Sequence, residues 1–245
     1  MSLNHFFESK SWLAIRYFYS SKKRREAREK KEKIIFQEYA LEALENLYIG
    51  INEYKNNVNL WLEFGTLLGA YRDKKFISYD YDLDFGIDHD SLTEELIEHL
   101  KNFGFTPISK FVITSDDLNI NNYTAEYTIN FKGKVNIDLF AFKQIKDSVI
   151  FFFFDKEDGL SWEETERKYN QHLRAKTKKL STFSLNDSFF LDKHVKVPTN
   201  TKQHLSEIYG DNFMTPIQYS YNDRPKSLEI LLDNRTLGKR IVFTN

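Results

Sequence analysis

The chain has no cysteine in 245 residues. Disulfides, thiolate metal ligands and a cysteine nucleophile are therefore excluded together. Proline (4) and glycine (9) are scarce, which excludes collagen-like and Pro/Gly-rich low-complexity sequence. No run approaches the roughly 18 apolar residues of a membrane-spanning helix. The longest, Val149 to Phe154, has strand length. The N-terminus shows no basic start, apolar core and small-residue cleavage site, so no secretory signal is expected. An excess of one charge is also missing. Lys plus Arg number 35 and Asp plus Glu 36, a net charge of −1, which gives no reason to expect a nucleic-acid partner. Apolar residues make up 41% and charged residues 29%, the balance of a folded chain with its own core. No linker composition or internal repeat divides it.

The neutral total hides an asymmetry. Lys22 to Lys33 holds eight Lys/Arg and three Glu, with Glu26/Lys30 and Glu29/Lys33 in the favourable i,i+4 order of a solvated helix. An aromatic segment precedes it, with Phe6, Phe7, Trp12, Phe18 and Tyr19. Two readings stay open for residues 1–33: a helix packed on the body or on a second subunit, or a peripheral contact with an anionic membrane, at the inner face for a cytoplasmic chain. Residues 34–245 read as the main domain. Its apolar positions from Ile35 to Ile51 recur at helical spacing. Strands are expected at Leu60 to Phe64, Leu83 to Ile87, Phe105 to Ile113, Tyr123 to Phe131, Val135 to Phe142 and Ser148 to Phe154. Gly133 marks a hairpin turn. Helices are expected at Thr66 to Tyr71, from Ser91 to Leu100 with Glu94 at the capping-box position, over residues 162–178, and at Thr201 to Tyr209 closed by Gly210. Phe189 to Val197 reads as extended. This order implies an α+β fold.

Five aspartates fall within eleven positions: Asp80, Asp82, Asp84, Asp88 and Asp90. On a strand, Asp80, Asp82 and Asp84 point one way and Tyr81, Leu83 and Phe85 point into a core. Like charges on one face raise each other's pKa unless a cation lies among them. All-oxygen ligands suit Mg²⁺ or Mn²⁺; a solvated acidic loop is the plainer alternative. Three neighbours strengthen the first reading. Gly65-Thr66-Leu67-Leu68-Gly69 joins a strand to a helix, where backbone N–H groups can meet phosphate. Arg72, Lys74 and Lys75 follow it with positive charge. Asp138 sits inside the apolar strand segment Asn136 to Phe140, where a carboxylate needs a charge partner or a metal. His172, His194 and His204 are further candidates, for which surface or core-edge positions are the simpler account.

The stretch from Phe64-Gly-Thr-Leu-Leu-Gly-Ala-Tyr-Arg72 to Phe76-Ile-Ser-Tyr-Asp80-Tyr-Asp82-Leu-Asp84 resembles the LicD/fukutin phosphotransferase family. Val197-Pro198, His204-Leu205, Tyr209-Gly210 and Pro216 extend the resemblance toward the C-terminus. Tyr79 and Ser78 depart from the Trp and Pro that many members carry, and the cysteine-rich loop of the vertebrate-type members is missing. The resemblance implies a nucleotidyltransferase-like mixed β-sheet flanked by helices, here with an N-terminal helical extension. It implies transfer of phosphocholine or a polyol phosphate from a CDP-linked donor to a glycan hydroxyl, with release of CMP, and such an intracellular nucleotide donor implies a cytoplasmic location. Asp82 and Asp84 would then hold the metal, Asp80 would orient or extend that shell, and Asp138 would complete it or serve as general base. Gly65, Thr66, Arg72 and Lys75 would bind the donor phosphates. A nucleotidyltransferase proper would use the same residues; a non-catalytic binding module is a third reading, against which the intact acidic triplet and Asp138 argue.

Overall fold

A computed structural model describes residues 10–217, 229–233 and 235–244; within its first helix, the side chains of residues 10–26, 28 and 29 are not described. Phe6 and Phe7 and the side chains of Trp12, Phe18 and Tyr19 thus lie outside the described residues.

Helix α1 (Lys10–Glu53) is followed by β1 (Leu60–Leu62), α2 (Phe64–Leu68) and β2 (Asp82–Asp88). α3 (Glu94–Leu100) leads into a run of four strands, β3 (Phe105–Thr114), β4 (Thr124–Phe131), β5 (Val135–Ile145) and β6 (Ser148–Asp155). After α4 (Trp162–Lys168) come β7 (Leu173–Ser181), the hairpin β8 (Leu185–Phe190) and β9 (Lys193–Pro198), α5 (Thr201–Tyr209), β10 (Glu229–Leu231) and β11 (Leu237–Val242).

The expected sheet flanked by helices is not what forms. β5 pairs with β4, β4 with β3, β3 with β11, β11 with β7, β7 with β6, and β6 with β5, each antiparallel. The result is a closed six-stranded antiparallel barrel, accompanied by five α-helices among the described residues. Two features close it. β5 is 11 residues long, so Asn136–Phe142 can pair with β2 while Lys143–Ile145 pairs with β6. β11, from the C-terminal end of the chain, fills the gap between β3 and β7. Outside the ring, β2 lies parallel to β5, β1 antiparallel to β2, and β10 on β7.

Three local expectations are also corrected. The helix expected over 162–178 stops at Lys168, because Asn170 and Gln171 take left-handed backbone angles (φ +51° and +65°). Beyond them Leu173, Ala175 and Thr177 are buried at every second position, the period of a strand. α3 is capped by Thr93, whose hydroxyl accepts from the Leu96 N–H at 3.2 Å, rather than by Ser91. Tyr81 precedes β2 and is 51% exposed, so it does not join Leu83 and Phe85 in the core.

α1 covers one face of β2 and β5. Phe36, Ala40, Ala43, Leu44, Leu47 and Ile51 recur at helical spacing and are buried with Leu83, Phe85, Ile137 and Leu139. Each such large side chain contributes about 1.5–3 kcal/mol by leaving water. Because strand side chains alternate, this packing turns Asp82, Asp84 and Asp138 to the opposite face. Trp61 fixes β1 against β2 from that side of the molecule: a Cβ at Gly86 would lie 2.2 Å from its ring, so only glycine fits.

Candidate active site

The carboxylates are gathered by the parallel pairing of β2 and β5. Asp84 is directly opposite Asp138, and Asp82 opposite Asn136. On the other side of β5, Asp138 is opposite Thr128 of β4, and Glu126 follows two residues along on the same face. All four acidic side chains are half-buried. Burial is the first cause that pushes each one up, and for Asp82, Asp84 and Glu126 the neighbouring carboxylates add to it. Asp82 rises to about 7, with Asp138 and Asp80 contributing, and Glu126 to about 8, with Asp138 contributing. Asp138 rises to about 6 through burial, held back by a hydrogen bond from Thr128 and by Arg240. Asp84 is raised well above the usual range by burial, then by Asp82, Asp138 and Asp80. Asp80 lies before β2 and rises to about 6 by burial, countered by Arg72.

The Gly65 turn is bound into this face. The Gly65 N–H donates to Asp84 Oδ2 at 3.0 Å, and the Asp84 N–H donates to Thr66 Oγ1 at 2.9 Å. A Cβ at Gly65 would crowd Asp84 Oδ2 at 3.1 Å and Asp80 Oδ2 at 3.2 Å, so the close approach requires glycine. Phe64, just before it, has φ +40°, a conformation that costs a bulky residue about 1–3 kcal/mol and is found where the surroundings over-determine the backbone.

The cations sit less centrally than their spacing suggested. Arg72 is near enough to Asp80 to lower it, yet its guanidinium makes two 2.8 Å bonds to Asp73 and a 3.4 Å bond to the Phe213 carbonyl. Lys75 is exposed, and acts on Asp73. Two residues absent from the sequence reading join the face. Glu126 could have been found by the alternation that marked Asp138, since it lies between Ala125 and Tyr127, both buried. Arg240 arrives on β11, and no local pattern announces it.

The donor set fits a hard divalent cation on three grounds. Its ligands are carboxylate oxygens, its charges repel one another, and Asp138 Oδ1 is a buried oxygen with no hydrogen-bond partner. Among the described residues no three His, Cys, Asp or Glu side chains already converge as a ligand set. Beside the face lies a cavity of about 330 Å³, lined by Phe64, Phe140, Phe151 and Phe153 together with Asp84 and Tyr209. His204 is completely buried against Glu63, and His172 is held by the carbonyls of Tyr169 and Asn170. His194 packs on exposed Phe189.

Comparison with known proteins agrees with the motifs. The ribitol-5-phosphate transferase FKTN of Homo sapiens is 28% identical over 192 residues, covering 76% of this chain and 36% of that protein. The Macaca fascicularis protein of the same name is 29% identical over the same shares. An uncharacterized protein of Rickettsia typhi is 30% identical over 104 residues, 42% of this chain and 28% of its own length. The chain thus spans about a third of the length of the curated transferases it matches. The family model described as LicD/FKTN/FKRP, nucleotidyltransferase domain, matches residues 57–200, which hold Gly65, the Asp80–Asp84 triplet and Asp138, and the chain belongs to that family.

Proposed function

We propose that the protein is a metal-dependent phosphotransferase that moves a phosphorylated alcohol, phosphocholine or a polyol phosphate, from a CDP-linked donor to a glycan hydroxyl. The observation that carries this reading is the in-register pair Asp84 and Asp138 on adjacent strands, one of whose oxygens is buried and unpartnered. The family and the ribitol-5-phosphate transferase activity for which its FKTN relatives are named support the reaction class.

Asp82 and Asp84, with Asp138 and Asp80 beside them, would hold one or two Mg²⁺ or Mn²⁺ ions. Bound there, the metal supplies charge stabilisation to the donor diphosphate. The protein's own part is positioning and proton transfer. Gly65 and Thr66 hold Asp84 in place, and Arg72 adds positive charge beside Asp80. Asp138 takes the proton of the acceptor hydroxyl as its oxygen forms a bond to the head-group phosphorus. The bond from that phosphorus to the oxygen bridging to CMP breaks, and CMP leaves with the electron pair. The phenylalanine-lined cavity offers ring faces on which a pyrimidine can stack.

A panel of CDP-linked donors with a glycan acceptor, scored for CMP release with and without Mg²⁺, tests this. Mg²⁺-dependent release from at least one donor, abolished in Asp82→Ala and Asp138→Ala, is expected. Undiminished release in either variant, or pyrophosphate release from a nucleoside triphosphate instead, refutes it.

A further inference from the structure

Glu63 has no exposed surface, and neither does His204. A carboxylate in such a place is tolerated when its oxygens are engaged, and here both are. Oε1 meets His204 Nε2 at 2.7 Å and accepts from the Phe64 N–H at 3.3 Å, while Oε2 accepts from the Trp61 indole at 2.6 Å. These partners come from α5, the α2 turn and β1. The main chain of Glu63 is engaged as well: its N–H donates to the Asp84 carbonyl at 3.1 Å, and its carbonyl accepts from Leu67 at 2.9 Å. The next residue is Phe64 in its left-handed conformation, and the one after is Gly65, whose N–H donates to Asp84 Oδ2. A buried, hydrogen-bonded Glu63–His204 pair therefore stands two residues behind the group that holds Asp84. Neither member has surface with which to touch substrate.

We propose that Glu63 and His204 are positioning residues: their contact clamps α5 to the β1–α2 turn, keeps Phe64 left-handed, and so aims the Gly65 N–H at the Asp84 carboxylate. The inference rests on Asp84 acting in phosphotransfer, but the clamp itself can be read without turnover. The chain's nine glycines make ¹⁵N-glycine-labelled full-length protein a sparse spectrum, in which amide exchange at Gly65 is followed beside Gly104 and Gly133. In Glu63→Ala and His204→Ala, exchange at Gly65 is expected to accelerate about tenfold or more with Gly104 and Gly133 unchanged. Glu63→Gln, which keeps the shape and one of the two acceptor oxygens, should give an exchange rate between those of Glu63→Ala and wild type. Where the alanine variants do not fold, His204→Leu stays close to the imidazole in volume, removes the ring nitrogen that meets Glu63, and carries the same test. For the reaction, kcat should fall about tenfold or more with the donor KM within about twofold. Unchanged Gly65 exchange, equal acceleration at all three glycines, or an unchanged kcat beside accelerated Gly65 exchange overturns the proposal. Accelerated Gly65 exchange in a protein that turns over no CDP-linked donor leaves the clamp standing and refutes the phosphotransfer reading instead.

Discussion

Asp138→Asn should stabilise the metal-free protein at neutral pH, the reverse of what replacing a buried, hydrogen-bonded residue normally does. The folded protein holds the Asp138 carboxyl at about 6, against about 3.9 for an aspartate in an unfolded chain. The folded state therefore keeps its proton where the unfolded state has lost it, and stability falls as pH rises from about 4 through 6. At about 1.4 kcal/mol per pKa unit, the full ionisation cost above pH 7 is about 3 kcal/mol. Part of that cost is shared with Asp82, Asp84 and Glu126, so about 1–3 kcal/mol should be recovered on removing the charge. Asparagine keeps the volume and can still bond Thr128. For a chain of this length the gain corresponds to about 2–12 °C in Tm. Thermal unfolding in EDTA at pH 7.5 and pH 5 measures it. At pH 5 the folded carboxyl is largely protonated while the unfolded one is still ionised, so about half of the cost remains and the advantage of the variant should shrink to about 0.5–1.5 kcal/mol. With Mg²⁺ added to about a thousand times its Kd at pH 7.5 the order should reverse, because a ligand that binds the native state then stabilises it by about 4.1 kcal/mol, more than the advantage of the variant, which has lost a donor. A variant equally destabilised at both pH values in EDTA would show that Asp138 carries no buried, destabilising charge in the metal-free protein, and the cation argument would lose its basis.

Three other outcomes follow from the packing and the charge pattern. Gly86→Ala forces a methyl group to within 2.2 Å of Trp61; urea unfolding should show a loss of about 1–3 kcal/mol or more. Leu44→Ala empties a fully buried position on α1 and should cost about 2–5 kcal/mol by the same measurement, whereas a cost under about 1 kcal/mol would mean that α1 does not cover the sheet as described. Removing residues 1–33 takes away the basic run Lys22 to Lys33; if that run seats the chain on an anionic membrane, sedimentation with phosphatidylserine vesicles at low salt should fall at least about tenfold, and unchanged sedimentation would leave helix packing as its role.

Much of the face that carries the chemistry was legible because its signals are local. A period of two tells which side of a strand a residue takes, so Asp82 and Asp84 could be placed opposite Leu83 and Phe85 before any fold was known. An aspartate between Ile137 and Leu139 stands out for the same reason. Period and position could also mislead: extending the strand back to Asp80 put Tyr81 in the core, although β2 begins only at Asp82. Reading 162–178 as one helix missed the left-handed pair at Asn170 and Gln171, because neither is glycine and side-chain type alone did not flag the turn.

The amino-acid sequence by itself determined the helical period of α1 that buries Leu44 and Leu47, the turn at Gly133, the carboxylate-bearing strands and the family. Tertiary structure alone decided which strand lies beside which. Backbone N–H and C=O groups are the same in every residue, so alternation names a face and never a neighbour. β11 lies about 125 residues after β3, yet it pairs with that strand to close the barrel and deliver Arg240 to the acidic face. His204 lies 141 residues from Glu63 and meets it only because α5 packs behind the β1–α2 turn. Contacts over such separations depend on how the whole chain closes, and for that reason the closed barrel and the buried Glu63–His204 pair became visible only in three dimensions.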